Sequence, residues 1–198
     1  MMGGAVSAPT LVALLDGCKS KDASSEVFSL SDDYKTLVAE IAEIIIPKTD
    51  TPGAKEAGVG PFIETMIKDC YSNAQGSHFI KGLDLVTEKA KAAGGSFVSL
   101  EPAKQISILK EMEAEGKKEA EGMAEKAKQI DPETGKVKEE SKDNEPLVPF
   151  FNLMKELTLF GYFTSEIGMK QELDYQPIPG KYEGCIPLKE GQKAYALG

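Results

Sequence analysis

The sequence predicts an all-α protein of about five helices, on three observations. Apolar residues recur at intervals of three and four along five separate segments, which is the spacing of one helix face. Ser, Pro and Gly stand where these segments begin or end, as helix capping and termination favour. The most apolar segment lies near the C-terminus, at residues 147–163. We therefore expect a bundle around this central fifth helix, followed by an extended C-terminal arm.

The first helix is predicted to follow Ser31, a good N-cap residue, with two aspartates in its first turn where negative charge suits the helix dipole. Pro47 should end it, because the residue before a proline is biased away from the helical conformation. In the turn-rich segment that follows, Pro52-Gly53 fits the two central positions of a type II turn.

Three further helices precede the apolar one. The second is predicted from about Pro61, with Ile63 and Ile67 beside a line formed by Phe62, Met66 and Cys70. The third covers about 77–93 and ends at Gly94-Gly95, as a helix C-terminus often does. The fourth should be capped by Ser99, and its narrow apolar stripe and charged faces predict a surface helix. A polar loop follows at 131–145.

The fifth helix is unusually apolar. In the stretch LVPFFNLMKELTLFGYF, 11 of 17 residues are Leu, Val, Met, Phe or Tyr. One stripe is predicted from Phe150, Leu153, Met154, Leu157 and Phe160. Other apolar residues fall largely outside it, namely Phe151, Leu159, Tyr162 and Phe163. A helix that is apolar around most of its girth is buried on several sides. It is therefore either the central core helix or a helix with one side against a partner chain.

The N-terminal residues are typical of an exported lipoprotein. Residues 1–18 are mildly apolar and end in Leu-Asp-Gly-Cys, which indicates a signal with Cys18 as the lipid-attachment site. Residues 19–30 form a polar tether, 31–170 the helical domain and 171–198 the extended arm. No basic segment precedes the apolar stretch, so we expect a truncated signal. Its weakly hydrophobic residues suit twin-arginine export better than the general pathway, but the sequence contains no twin arginines. The alternative is an N-terminal arm or helix packed on the body.

Composition and motifs argue against several functions. The net charge is −9 and all 23 basic residues are Lys, which disfavours nucleic acid as a partner. No run of 18 apolar residues, dinucleotide-binding glycine motif or phosphate-binding loop is present. The single histidine, His78, lacks neighbours at metal-ligand spacing and is interpreted as a surface or capping residue. Asp50 and Glu166 are the carboxylates in the least ordinary positions, but most such acids are solvated.

Two cysteines remain besides Cys18. In an oxidising periplasm, Cys70 and Cys185 could form a disulfide, within the chain or to a partner. The other interpretation is a buried, free Cys70 and an unpaired Cys185 in the arm.

Three stretches together resemble one family. They are IIPKTDTPGAKEAGVGPFI at 45–63, LTLFGYFTSEIGMKQELDY at 157–175 and PGKYEGC at 179–185. Their glycine and proline placement is similar to that of the small, or third, subunit of gluconate 2-dehydrogenase and its relatives. The charged fourth helix and the loop after it have no counterpart in this resemblance.

The resemblance implies a non-catalytic subunit without a cofactor of its own. Its partner would be a large FAD-containing flavoprotein of the glucose-methanol-choline oxidoreductase type, which passes electrons to a cytochrome c or a quinone. The small subunit would support folding, export or membrane attachment of the flavoprotein in the periplasm. The twin-arginine motif of the family is absent from this sequence.

We accordingly expect the working surface to be a partner interface. It should be formed by the Pro52-Gly53 loop, the turn after Phe160 and the arm from Tyr175 to Tyr182. The expected anchors are Tyr162, Phe163, Tyr175 and Tyr182, because aromatic residues are the usual anchors of protein interfaces. The other interpretation is that these aromatic residues close the core of this chain. Two alternatives stay open at the level of sequence. One is a stand-alone helical periplasmic lipoprotein that binds a solute or serves as a scaffold, and the other is a carboxylate-based hydrolase.

Overall fold

The computed structural model describes residues 28–127, 147–178, 180, 185 and 187–197. The all-α prediction is confirmed. The helices are α1 Asp32–Ile45, α2 Val59–Cys70, α3 Asn73–Ala92, α4 Pro102–Ala127 and α5 Phe150–Thr164. A 3-10 turn spans Phe97–Ser99 and a π-helical turn spans Gly168–Glu172. Residues 1–27, with the predicted signal and most of the tether, lie outside the described residues, as does the loop at 131–145.

Helix α1 begins and ends as predicted. The Ser31 hydroxyl accepts a hydrogen bond from the Tyr34 amide at 3.3 Å, and the helix ends at Ile45, before Pro47. Its apolar face is fully buried through Val38 and Ile41.

The starts of the next three helices differ from the predicted ones. Helix α2 begins at Val59 because Gly58 adopts the left-handed conformation, with φ of 72°, that reverses the chain there. Helix α3 begins a turn earlier than predicted, where the Ser72 hydroxyl accepts a hydrogen bond from the Gln75 amide at 3.3 Å. The expected cap of α4, Ser99, belongs instead to the 3-10 turn that buries Phe97.

Helix α5 packs against each of the other four α-helices. At its first turn, Phe150 lies over Gly82 of α3, where an added Cβ would stand 2.0 Å from the Phe150 ring. The ring also contacts Phe79, with 5.1 Å between centroids. In the described part of the chain, neither α5 nor any other helix is long and apolar enough to cross a membrane.

The C-terminal arm folds back on itself. Strand β1, Asp174–Gln176, pairs in parallel with strand β2, Tyr195–Leu197, and the register places Tyr175 opposite Ala196. Ala196 is buried, whereas Ile178 and Leu188 in the connection are 85% exposed. The pairing therefore brings the end of the arm back to the segment where it leaves the helical domain.

Candidate partner interface

The loop between α1 and α2 is organised by one carboxylate. Glu43, in the last turn of α1, accepts hydrogen bonds from the backbone amides of Lys48 at 3.1 Å and Lys55 at 2.8 Å. The Ala54 amide also donates to the Ile46 carbonyl at 3.0 Å. Two distant points of the loop are therefore tied to α1, which gives this irregular segment a defined shape.

Gly53 is buried beside the Glu43 carboxylate, whose two hydrogen bonds to the loop we call the Glu43 clamp. An added Cβ would stand 2.3 Å from a carboxylate oxygen of Glu43 and 2.6 Å from the Lys48 amide nitrogen. Its φ is not positive, so the predicted type II turn, which needs a positive φ at this position, is wrong. The position requires glycine for lack of space, and it offers a partner no contact surface, contrary to the interface prediction.

Tyr162 locks the end of α5 onto the loop. Its side chain is 1% exposed, and its hydroxyl donates to the Pro52 carbonyl at 2.8 Å. Pro52 itself is half-buried. The prediction that Tyr162 anchors a partner is wrong, because its own loop already covers the ring and satisfies the hydroxyl.

The π-helical turn extends the contact between the end of α5 and the α1–α2 loop, which we call the junction. The Ser165 hydroxyl donates to the Tyr162 carbonyl at 2.7 Å and accepts from the Gly168 amide at 3.0 Å. Gly168 leaves no room for a side chain, since a Cβ would lie 2.0 Å from the Tyr162 carbonyl oxygen. From the end of the turn, Glu172 accepts a hydrogen bond from the Thr51 hydroxyl at 2.8 Å. The segments 45–63 and 157–175 are therefore packed on each other.

Helix α2 crosses α5 beside this junction. Gly161 is buried against Phe62, whose ring would stand 2.6 Å from a Cβ at that position. The same ring contacts Phe160 with centroids 5.7 Å apart and planes tilted by 60°. Phe62 thus fills the space that the glycine leaves and supports Phe160 from the side.

An apolar surface remains outside the junction. Phe160 is 51% exposed, Leu159 40% and Phe163 38%, and residues three and four apart on a helix are neighbours. With half-buried Phe62 they form what we call the aromatic platform: Phe62, Leu159, Phe160 and Phe163. The sequence placed Phe160 in one stripe with Phe150 and Leu153, but those two residues are buried and Phe160 is not. Phe163, predicted as an interface residue, lies in this exposed surface.

Two exposed carboxylates lie on the two helices that carry the platform. Glu156 lies one turn before Phe160, on the same face of α5. Asp69 lies on the face of α2 that carries Phe62 and Met66. Burial, and then the charge of Glu156, raise the pKa of Tyr71 just after α2. We call these two residues the acidic edge.

The other predicted contact residues have varied positions. Tyr175 is half-buried within β1, so the ladder rather than a partner orders its backbone. Tyr182 and the lipid-attachment candidate Cys18 lie outside the described residues. Cys70 and Cys185 are both free and exposed, so the disulfide predicted within the chain is not formed. A disulfide to a partner stays a prediction.

The two candidate acids are bound to neighbouring side chains at the surface, whereas the histidine lies in a cleft. Glu166 pairs with Lys170 at 2.7 Å, and the lysine's hydrogen bond lowers the pKa of that carboxyl. The Thr49 hydroxyl lowers the pKa of exposed Asp50 in the same way.

His78, which was predicted to be a surface or capping residue, is partly buried instead. Its side chain is 22% exposed and lines a cleft of about 280 Å³, with Nε2 3.5 Å from a Glu119 oxygen. Within the described ranges, no three His, Cys, Asp or Glu side chains gather as a metal site requires.

Comparison with known proteins gives one finding. Neither the curated proteins nor the solved structures include a match to the chain. The family described as "Gluconate 2-dehydrogenase subunit 3" matches residues 32–180, about three quarters of the sequence. This span runs from the first residue of α1 past β1 and so contains the whole junction described above. The chain therefore belongs to the gluconate 2-dehydrogenase subunit 3 family.

Proposed function

We propose that this chain is the non-catalytic small subunit of a periplasmic, FAD-dependent dehydrogenase for a sugar or for gluconate. The observation that carries the proposal is the family match, since the family is by name one subunit of a dehydrogenase complex. The catalytic partner would be a flavoprotein of the glucose-methanol-choline oxidoreductase type that holds the FAD and passes electrons to a cytochrome or a quinone. This chain would support the folding, export or membrane attachment of the flavoprotein.

The surface of the helical domain supports a binding role. Its exposed aromatic residues lie together at the end of α5, and aromatic side chains are the usual anchors of protein interfaces. The carboxylates that the sequence singled out, Asp50 and Glu166, are exposed and bound to neighbouring side chains. A general acid or base for catalysis would instead need burial that moves its pKa toward neutrality.

Co-expression tests the proposal directly. This chain, tagged at its C-terminus, is produced together with a candidate FAD-type oxidoreductase from the same genome. We expect a stable complex that carries FAD absorbance and oxidises a sugar or gluconate, whereas this chain purified alone has no such activity. Purification of the tagged chain without the flavoprotein would overturn the proposal and favour the stand-alone lipoprotein.

Membrane attachment is proposed to depend on the lipid on Cys18. Several acyl chains are needed for stable anchoring, as a bacterial lipoprotein has. We expect Cys18→Ser, in a chain that carries a complete export signal, to release the protein into the soluble periplasmic fraction. Retention of this variant in the membrane fraction, in cells without the flavoprotein, would show that the anchor lies elsewhere.

A further inference from the structure

The aromatic platform is a fixed surface. Phe160 keeps half of its surface exposed although Phe62 supports it from one side. The helix beneath is held at both sides, since Tyr162 is bonded to the loop and Gly161 is covered by Phe62. The exposed rings therefore do not need to be ordered at the moment of binding, which lowers the entropic cost of association.

The acidic edge indicates the charge of the occupant. In the described part of the chain neither Glu156 nor Asp69 has an ion-pair partner, whereas Glu113 pairs with Lys155 and Glu166 with Lys170. The chain carries a net charge of −9 and contains no Arg. A partner molecule with a basic rim would supply cations complementary to the acidic edge.

Charge also distinguishes between occupants. A symmetric contact with a second copy would bring the two acidic edges toward each other, and like charges at an interface are unfavourable. An anionic lipid surface would repel the same carboxylates. A different protein could bury the exposed rings in an apolar pocket and pair the carboxylates with basic residues around that pocket.

We propose that the aromatic platform is the docking surface for the large flavoprotein subunit, through an apolar pocket that is rimmed by Lys or Arg. This inference rests on the proposed function and adds the location of the contact and the chemistry of the partner surface. Phe160 and Phe163 are the anchors, and Glu156 meets a cation of the partner. Aromatic anchors at the centre of an interface typically change affinity by about 30-fold or more when truncated.

The experiment measures the affinity of purified flavoprotein for variants of the full chain. Phe160→Ala/Phe163→Ala should weaken binding by at least about 30-fold. The matched control is Leu85→Ala, because Leu85 is 47% exposed and lies on α3 beside the first turn of α5, at the opposite end of that helix. The control should bind like the wild type, and circular dichroism and urea midpoints should show that all variants are folded. Glu156→Lys should weaken binding and reduce its dependence on salt.

The outcomes separate the two proposals. Wild-type chain that does not bind the flavoprotein would defeat the proposed function itself. Wild-type binding that the double variant retains within about threefold, or that Leu85→Ala reduces equally, would overturn the docking surface while leaving the function intact. Light scattering of the chain alone that reveals a dimer, lost in the double variant, would identify a second copy as the occupant and overturn the proposal.

Discussion

Two aromatic residues near the end of α5 have opposite environments. Tyr162 is 1% exposed and bonded to the α1–α2 loop, whereas Phe160, two positions earlier, is 51% exposed. Two positions correspond to about 200° around a helix, so the residues point to nearly opposite sides. One side of α5 thus joins the chain's own segments, and the other presents an apolar surface. The difference teaches that one apolar helix can contribute to the core on one side and keep an exposed apolar surface on the other.

Truncation of each ring gives the largest contrast. Tyr162→Ala should lower the free energy of unfolding by about 3–5 kcal/mol, because it empties a fully enclosed site and removes the bond to Pro52. Phe160→Ala should cost less than about 1 kcal/mol, because half of the ring is already in water. Urea denaturation followed by circular dichroism measures both. Similar losses in the two variants would show that the platform belongs to the core.

The two rings also show what the sequence could predict and where it could not. Helical periodicity predicted the number and order of the helices, since caps such as Ser31 and apolar intervals are local signals. The stripe of α5 was assigned wrongly because two residues on its buried side are not hydrophobic. Thr158 is fully buried with its hydroxyl bonded to the Met154 carbonyl, and Gly161 makes room for Phe62. Hydrophobicity alone cannot identify such positions.

Other features depend on contacts between distant segments. Gly53 was interpreted as a turn residue, but its need for glycine comes from the approach of Glu43 to the loop. The pairing of β1 with β2 joins two short strands across the connection between them, which no local pattern specifies. Two of the three stretches that resembled the family, 45–63 and 157–175, nevertheless lie together in the structure, since they form the junction at Tyr162.

Substitution of Gly53 tests the junction from the side of the loop. Gly53→Ala should lower the free energy of unfolding by about 2 kcal/mol, because the new methyl group would overlap Glu43 and the Lys48 backbone. The control is Gly180→Ala, where no atom lies within 4 Å of the added Cβ. Urea midpoints of the two variants provide the measurement. A Gly53 variant as stable as the control would mean that the Glu43 clamp is not rigid.

The hydroxyl of Tyr162 should contribute less than its ring. Tyr162→Phe keeps the packing but leaves the Pro52 carbonyl without its donor, which typically costs about 1 kcal/mol. The measurement is the difference in unfolding free energy from wild type, with Tyr195→Phe as the matched control, because the Tyr195 side chain is 48% exposed. If Tyr162→Phe does not lower the free energy of unfolding, the packing of the ring alone stabilises the junction.

The smallest effect is expected at an exposed ion pair between α4 and α5. The hydrogen bond and charge of Lys155, 3.1 Å from Glu113, lower the pKa of the Glu113 carboxyl, and Lys117 adds to this. A carboxyl group whose pKa is lower in the folded than in the unfolded state stabilises the fold at a pH above its unfolded-state pKa. This contribution is lost as the pH falls through the folded-state pKa. Lys155→Met should therefore raise the Glu113 pKa toward its ordinary value and slightly reduce the extra stability near neutral pH. Because both groups are solvated, the change in stability should be barely measurable.

Carboxyl NMR titration is the measurement for this ion pair, since it reports the Glu113 pKa directly. Lys170→Met serves as the matched control, because it removes the partner of Glu166 at the other end of α5 and should leave Glu113 unchanged. An unchanged Glu113 pKa in Lys155→Met would show that the lysine does not hold α4 to α5 in solution. A large loss of stability in Lys155→Met would show that the exposed ion pair supports the packing of α4 on α5. The surface of α5 that faces α4 would then contribute to stability as the buried contacts of Tyr162 do.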